Sequence, residues 1–152
     1  MTNARTRAAL LMVGAVLLAV TASSVRAAGT PEETVKAYLQ AMKDQKFDDA
    51  YKQISKAMTG GKDAEAWAKE QKYIMQSGDV KIFKFDVYAA KIDGNTAKVP
   101  NILSSQDKFL NQLGADEYEL YTVVKENGDW RIDQQEQVDK ADQEKWFTKK
   151  AS

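Results

Sequence analysis

The sequence predicts an α+β domain in which three N-terminal helices pack on a curved antiparallel sheet of about four strands, with a short helix near the C-terminus. Three observations carry this. From Thr30 to Gly78 apolar residues recur at helical spacing. From Asp79 onward the period switches to alternation, as side chains on opposite faces of a strand require. Two turn signals, Asp93-Gly94-Asn95 and Asn127-Gly128, divide the strand half into two hairpins.

The first helix has a strong start signal. Thr30 is its N-cap, Pro31 suits the first helical position, and Glu33 completes a capping box. Val35, Tyr38, Leu39 and Met42 form its apolar stripe. Phe47, Tyr51, Ile54 and Met58 predict a second helix over residues 47–58. Asp63 caps a third, with Ala64, Trp67, Ala68, Gln71 and Met75 on one face and Gly78 as its terminator.

Residues 79–92 read as one long strand, with Phe83, Phe85, Val87 and Ala89 on one face and Ile82, Lys84, Asp86 and Tyr88 on the other. So long a strand must twist and bend, and a bent sheet needs a helix layer over its concave side. "TAKVPNIL" returns beside it, with Pro100 marking an edge or a bulge because proline cannot donate to a ladder. In "EYELYTVVKENGDWRIDQ", Leu120, Thr122 and Val124 share one face, Tyr121 and Val123 the other, and Trp130 and Ile132 return. The link "SSQDKFLNQLGADE" is long for a connection; Ser105 is a cap for a helical turn bearing Phe109, Leu110 and Leu113, stopped by Gly114. The charged tail, residues 137–152, carries Trp146 and Phe147, an aromatic pair able to dock on the body.

The chain begins with a basic stretch, Arg5 and Arg7, then an apolar run from Ala8 to Val20 that is too short to span a bilayer comfortably. Val25-Arg26-Ala27 fits a cleavage site, so residues 1–27 read as a secretory leader and residues 28–152 as one exported domain, periplasmic or extracellular, with its core at about 30–136. With the leader gone, no membrane span is expected. The leader removes three arginines and no acid from 22 basic and 22 acidic residues, which leaves a net charge of −3. Such a chain lacks the clustered positive charge that nucleic acid calls for. It has no cysteine and no histidine, so disulfides, the usual zinc sites and Ser-His-Asp or Cys-His catalysis are all excluded. The lone phosphate-loop hint, Gly60-Gly61-Lys62, is followed by Asp63 where Ser or Thr should stand. No cofactor and no metal are called for.

"TPEETVKAYLQAMKDQKFDDAYKQIS" resembles the opening of nuclear transport factor 2-like domains, the cystatin-like cone that also includes SnoaL-like and ketosteroid isomerase-like proteins. The proline after a cap, the helix with Val35, Tyr38 and Leu39, and the "KDQKFDDAY" step into the second helix carry the resemblance. "VVKENGDWRIDQ" is similar to the family's closing hairpin, in which an aromatic after a Gly-containing turn starts the last strand. The match covers roughly residues 30–136 and is nearest to small exported members of unknown function. It implies a curved sheet wrapped around helices with an apolar cavity between them.

Enzymes of that superfamily place a carboxylate, tyrosines or a histidine inside the cone. Without histidine, Asp86 is the candidate base and Tyr88 or Tyr121 the candidate donor, although the aromatic face opposite Asp86 is the better core face. Tyr38, Tyr51, Trp67, Phe83, Phe85 and Trp130 are the bulky residues expected to fill or line the cone; Phe109, Leu110 and Leu113 are a candidate lid. Related domains pair through the outer sheet surface, where Ile82, Tyr88, Tyr121 and Val123 would form a patch for a homodimer. The function expected is non-catalytic binding of a small apolar ligand or of an envelope protein. The alternatives are an isomerase- or dehydratase-type enzyme using Asp86 and a tyrosine, and a structural or stress-related interaction protein.

Overall fold

A computed structural model describes residues 29–148 and 150–151, and the leader expected at residues 1–27 lies outside the described residues. Helix α1 (Pro31–Lys43) starts on the expected capping box: the Thr30 N–H donates to Glu33 Oε2 at 2.7 Å, and the Glu33 N–H donates to Thr30 Oγ1 at 3.2 Å. Its stripe of Val35, Tyr38 and Leu39 is buried, and Met42 packs against the same core. Helix α3 (Ala64–Gly78) is capped by Asp63, whose Oδ1 accepts from the Ala66 N–H at 2.9 Å, and it buries Trp67 and Met75. Its left-handed terminator is Asp79 (φ 48°), one residue beyond the expected Gly78. Gly78 is held to glycine for another reason: a Cβ there would meet Val80 Cγ2 at 2.9 Å.

Helix α2 covers only Phe47–Tyr51, shorter than the spacing predicts. The backbone beyond it bonds elsewhere. Ile132 donates its N–H to the Gln53 carbonyl and Ser55 donates to the Ile132 carbonyl, both at 2.8 Å. Residues 53–55 thus lie as a short parallel bridge against the last strand, and the helix periodicity of Ile54 and Met58 survives only as burial.

The strands are β1 (Lys81–Val87), β2 (Lys91–Asp93), β3 (Thr96–Gln106), β4 (Asp116–Glu126) and β5 (Asp129–Gln137). They form one antiparallel sheet in the order β1-β3-β4-β5, with β2 continuing the β1 edge along β3. The expected strand over 79–92 is therefore broken. Its gap falls opposite Pro100, which has no N–H to give on that side while its carbonyl accepts from the Tyr88 N–H at 2.8 Å. Pro100 sits in a central strand, and the irregularity it imposes falls on the neighbouring edge.

A register shift between Ile82 and Lys84 makes Phe83 a bulge residue and resets the alternation of β1. Ile82 turns toward the core in its place, and Phe83, expected inside, is 51% exposed. A second shift on β5 leaves Asp133 unpaired. Bulges raise local twist and bend the strand that carries them, and together with the broken edge they curve the sheet around α1. Helix α1 lies against β1, β3 and β5; α2 packs on α1, and α3 packs on α2.

The tail forms a 3-10 turn (Lys140–Asp142) and helix α4 (Gln143–Trp146). Phe147 meets the rings of Tyr88 and Tyr118 edge-on at 5.2 and 5.0 Å, and the Ala151 N–H donates to the Val87 carbonyl at 3.0 Å. Among the described residues no helix is long and apolar enough to cross a membrane. Trp67→Ala is expected to cost about 3–5 kcal/mol, as for a buried aromatic, and Thr30→Ala about 1 kcal/mol. Urea unfolding measures both; a Trp67→Ala loss under about 1 kcal/mol would show that α3 is not part of the core.

Candidate functional site

The concave face of the sheet has two halves. Register pairs Ala97 with Val123 and Val99 with Tyr121, and Ile132 lies beside Val123; all five are buried under α1. One pleat further along, Asn101 faces Glu119, and Gln135 and Gln137 follow on β5. Side chains on one strand face recur every second residue, so Glu117 and Glu119 necessarily share the face of Tyr121 and Val123. The apolar half is core, and the polar half is the candidate site.

Glu119 is its centre. It is 3% exposed, and no lysine or arginine pairs with it among the described residues. Three neutral donors hold it instead. Asn101 Nδ2 and the Tyr121 hydroxyl donate to Oε2 at 2.9 and 3.0 Å, and Gln135 Nε2 donates to Oε1 at 2.7 Å. Burial pushes the Glu119 carboxyl above its ordinary value; the three hydrogen bonds pull it back, and the nearby charge of Glu117 raises it further. The same burial, with the charge of Glu119, pushes the Tyr38 hydroxyl up to about 12 and the Tyr121 hydroxyl well above its ordinary value. The Tyr38 and Tyr121 rings meet edge-on with centroids 6.3 Å apart. Asn101 is fully buried, and its Oδ1 has no hydrogen-bond partner.

This wall faces an open cleft of about 660 Å³ at the β4–β5 end of the sheet, bordered by Glu117, Glu119, Asp133 and Gln135 with Met58 and Leu110. Leu110 belongs to the loop between β3 and β4, which forms no helical turn. Its cap is Asp107, not Ser105: the carboxylate accepts from the N–H groups of Phe109, Leu110 and Asn111 at 2.6, 2.7 and 3.0 Å. Those backbone donors hold the Asp107 carboxyl below the usual range. Asn111, buried, ties the loop down by donating to the Ser105 and Ala115 carbonyls and to Glu117 Oε1, while the Ala115 N–H donates to its Oδ1 at 2.8 Å. The loop is thereby braced with Leu110 and Leu113 95% and 96% exposed and Phe109 64% exposed. Only Leu110 of the three candidate lid residues borders this cleft.

The other expected site residues are dispersed. Asp86 lies on the convex side of β1, where it pairs with Lys150 at 3.2 Å and Lys84 at 3.8 Å. Tyr88 is under Phe147, and Tyr121 is fully buried on the concave face with its hydroxyl committed to Glu119. Asp86, Tyr88 and Tyr121 are therefore not brought together. Nor do Ile82, Tyr88, Tyr121 and Val123 form one outer surface, because Tyr121 and Val123 point into the core and Ile82 packs against it. Tyr38, Trp67 and Trp130 are packed in the core with Tyr51 and Phe85 at its margin. Among the described residues no cluster of three or more acids is arranged to hold a metal ion.

The sign of Glu119's shift sets a pH dependence. A carboxyl whose folded pKa lies above its unfolded one binds its proton more tightly when folded. Its stabilising contribution is complete below the unfolded value, about 4.3, and is lost as pH rises through the folded value. Wild type should therefore lose stability relative to Glu119→Gln as pH rises from 4 to 7 in paired thermal melts. A difference that is flat, or runs the other way, would contradict the burial of this acid.

No protein-family model matches the chain, and no curated protein matches its sequence. Solved structures do resemble it. A SEC-C motif containing protein from Rhodopseudomonas palustris superposes with TM-score 0.57 at 15% identity over 72% of this chain and 80% of its own. A domain of unknown function with a cystatin-like fold from Nostoc punctiforme gives TM-score 0.53 at 11% identity, over 70% and 73%. Bd1075 of Bdellovibrio bacteriovorus gives 0.51 at 11% identity over 70% of this chain, which spans only 39% of that longer protein. At such identities the likeness speaks for the fold alone: this chain has a cystatin-like α+β fold, a curved antiparallel sheet closed by helices.

Proposed function

We propose that the protein is an exported, non-catalytic binding domain that takes a small ligand at the open end of its cone. The observation that carries this is the polar half of the concave face. A fold that needs only a core has no use for a buried carboxylate with three neutral donors and no counter-ion, since burying an acid is costly unless it is paired. Glu119 stands at the wall of a cleft of the size that small ligands occupy, with the apolar side chains of Met58 and Leu110 on the same cleft. Because that wall is polar, the ligand is amphipathic, where the sequence suggested a wholly apolar one.

Catalysis has less support. A tyrosine acting as an oxyanion donor must face the substrate, and Tyr121 is wholly buried with its proton directed at Glu119.

Native mass spectrometry of the protein purified from its own compartment tests the proposal. A chain starting at Ala28 with a co-purifying small molecule is expected, and Glu119→Gln should lower its occupancy. A clean apo mass in repeated preparations, or a chain retaining residues 1–27, would count against ligand binding or export respectively.

A further inference from the structure

The loop between β3 and β4 takes little part in the core and is nonetheless held in one shape. Leu110 and Leu113 touch almost nothing of the protein, and Phe109 lies mostly in solvent. A lid would turn these side chains onto the cleft, yet only Leu110 borders it. The N–H groups of Asp107 to Asn111, Gly114 and Ala115 all have acceptors within the protein. The Lys108 and Gln112 carbonyls accept from the side-chain amides of Gln112 and Gln106 at 3.1 and 2.8 Å. Asp107, the one acid between residues 107 and 115, spends its carboxylate on three of those N–H groups. A backbone bonded to itself in this way leaves water at small cost, the condition an irregular segment must meet to enter an apolar phase. The charges around the loop are mixed. On the β1 side Lys108 lies over the Phe109 ring at 5.0 Å and lines a hollow with Lys81. Among the described residues Lys108 forms no salt bridge. On the β5 side Glu117 and Asp133 border the cleft.

We propose that this loop seats the domain on a zwitterionic phospholipid surface, with Phe109, Leu110 and Leu113 among the upper acyl chains. The amount of apolar surface decides between that and a protein partner. Three side chains offer roughly 400 Å², about half of what each side of a standard protein interface buries. A lipid phase asks for no matching surface, and projecting leucines reach it without burying the rest of the domain. A zwitterionic headgroup layer carries both signs of charge, which suits a loop with lysines on one side and carboxylates on the other. An anionic surface suits it less, since residues 28–152 carry a net charge of −3. The loop is already braced by Asp107 and Asn111, so little ordering is lost on seating. Leu110 also borders the cleft, so seating brings the cleft's mouth to the lipid. The loop seats in this way whether or not the cleft takes a ligand.

Sedimentation of the protein as purified with phosphatidylcholine vesicles tests this. The protein should pellet with them, and adding anionic lipid should change its partition by less than about twofold. Leu110→Ser combined with Leu113→Ser should weaken partition at least about tenfold. It should leave urea unfolding unchanged, because neither side chain packs on the body. Any contribution of residues 1–27 is common to both proteins. Phe109→Trp should add an emission that brominated acyl chains quench, beyond any quenching of the wild-type tryptophans. No pelleting at millimolar lipid, equal partition of the double variant, or binding that needs anionic lipid and fails in salt would each overturn the proposal. So would a concentration-dependent dimer, abolished in the double variant, from a protein that vesicles do not hold; the loop would then belong to contact with a second copy.

Discussion

The pairing of β3 with β4 is the constraint on which the rest of this structure depends. It sets Val99 opposite Tyr121 and Asn101 opposite Glu119 on one side of the sheet. A slip of one residue would turn Tyr121 and Val123 to solvent and bring Leu120 and Thr122 under α1. The register is therefore fixed by the apolar half of the concave face. The polar half is carried along: once Tyr121 is inside, Glu119 must be inside too, and the fold has to solve its burial.

It does so with neutral donors from three strands. Asn101 comes from β3, Tyr121 from β4 itself and Gln135 from β5. Gln135 reaches Glu119 because the bulge at Asp133 resets the phase of β5 beyond Ile132. The same arrangement explains why α2 stops early, since the backbone at residues 53–55 is taken by Ile132, which places Met58 at the border of the cleft. The network keeps the carboxylate in one orientation and leaves it without a counter-charge at the wall of the cleft.

Much of the fold was legible in the sequence because local chemistry and tertiary contacts agree there. The capping box at Thr30, the stripe of Val35, Tyr38 and Leu39, the Asp63 cap and the two hairpin turns each act within a few residues. What was hidden depended on distant partners. Phe83 reads as a core residue until the bulge beside it is known, and Ile54 continues a helix until Ile132 claims its neighbours. In the loop after β3, Ser105 was expected to cap, yet it is Asp107 that reaches three backbone donors. The site was half legible. Glu117, Glu119, Tyr121 and Val123 recur at every second position, so the acids could have been placed on the core face from alternation alone. Asp86 was the candidate base in a chain without histidine, and it lies on the outer face opposite the aromatics, as alternation indicates, paired with Lys84 and Lys150.

A direct probe of this account is the carbon-13 resonance of the Glu119 side-chain carboxyl followed through a pH titration. A carboxyl buried among neutral donors with no cation beside it should titrate above the ordinary glutamate value. A midpoint at or below that ordinary value in the free protein would mean that Glu119 is solvated or already paired, and the polar half of the concave face would then be no site at all.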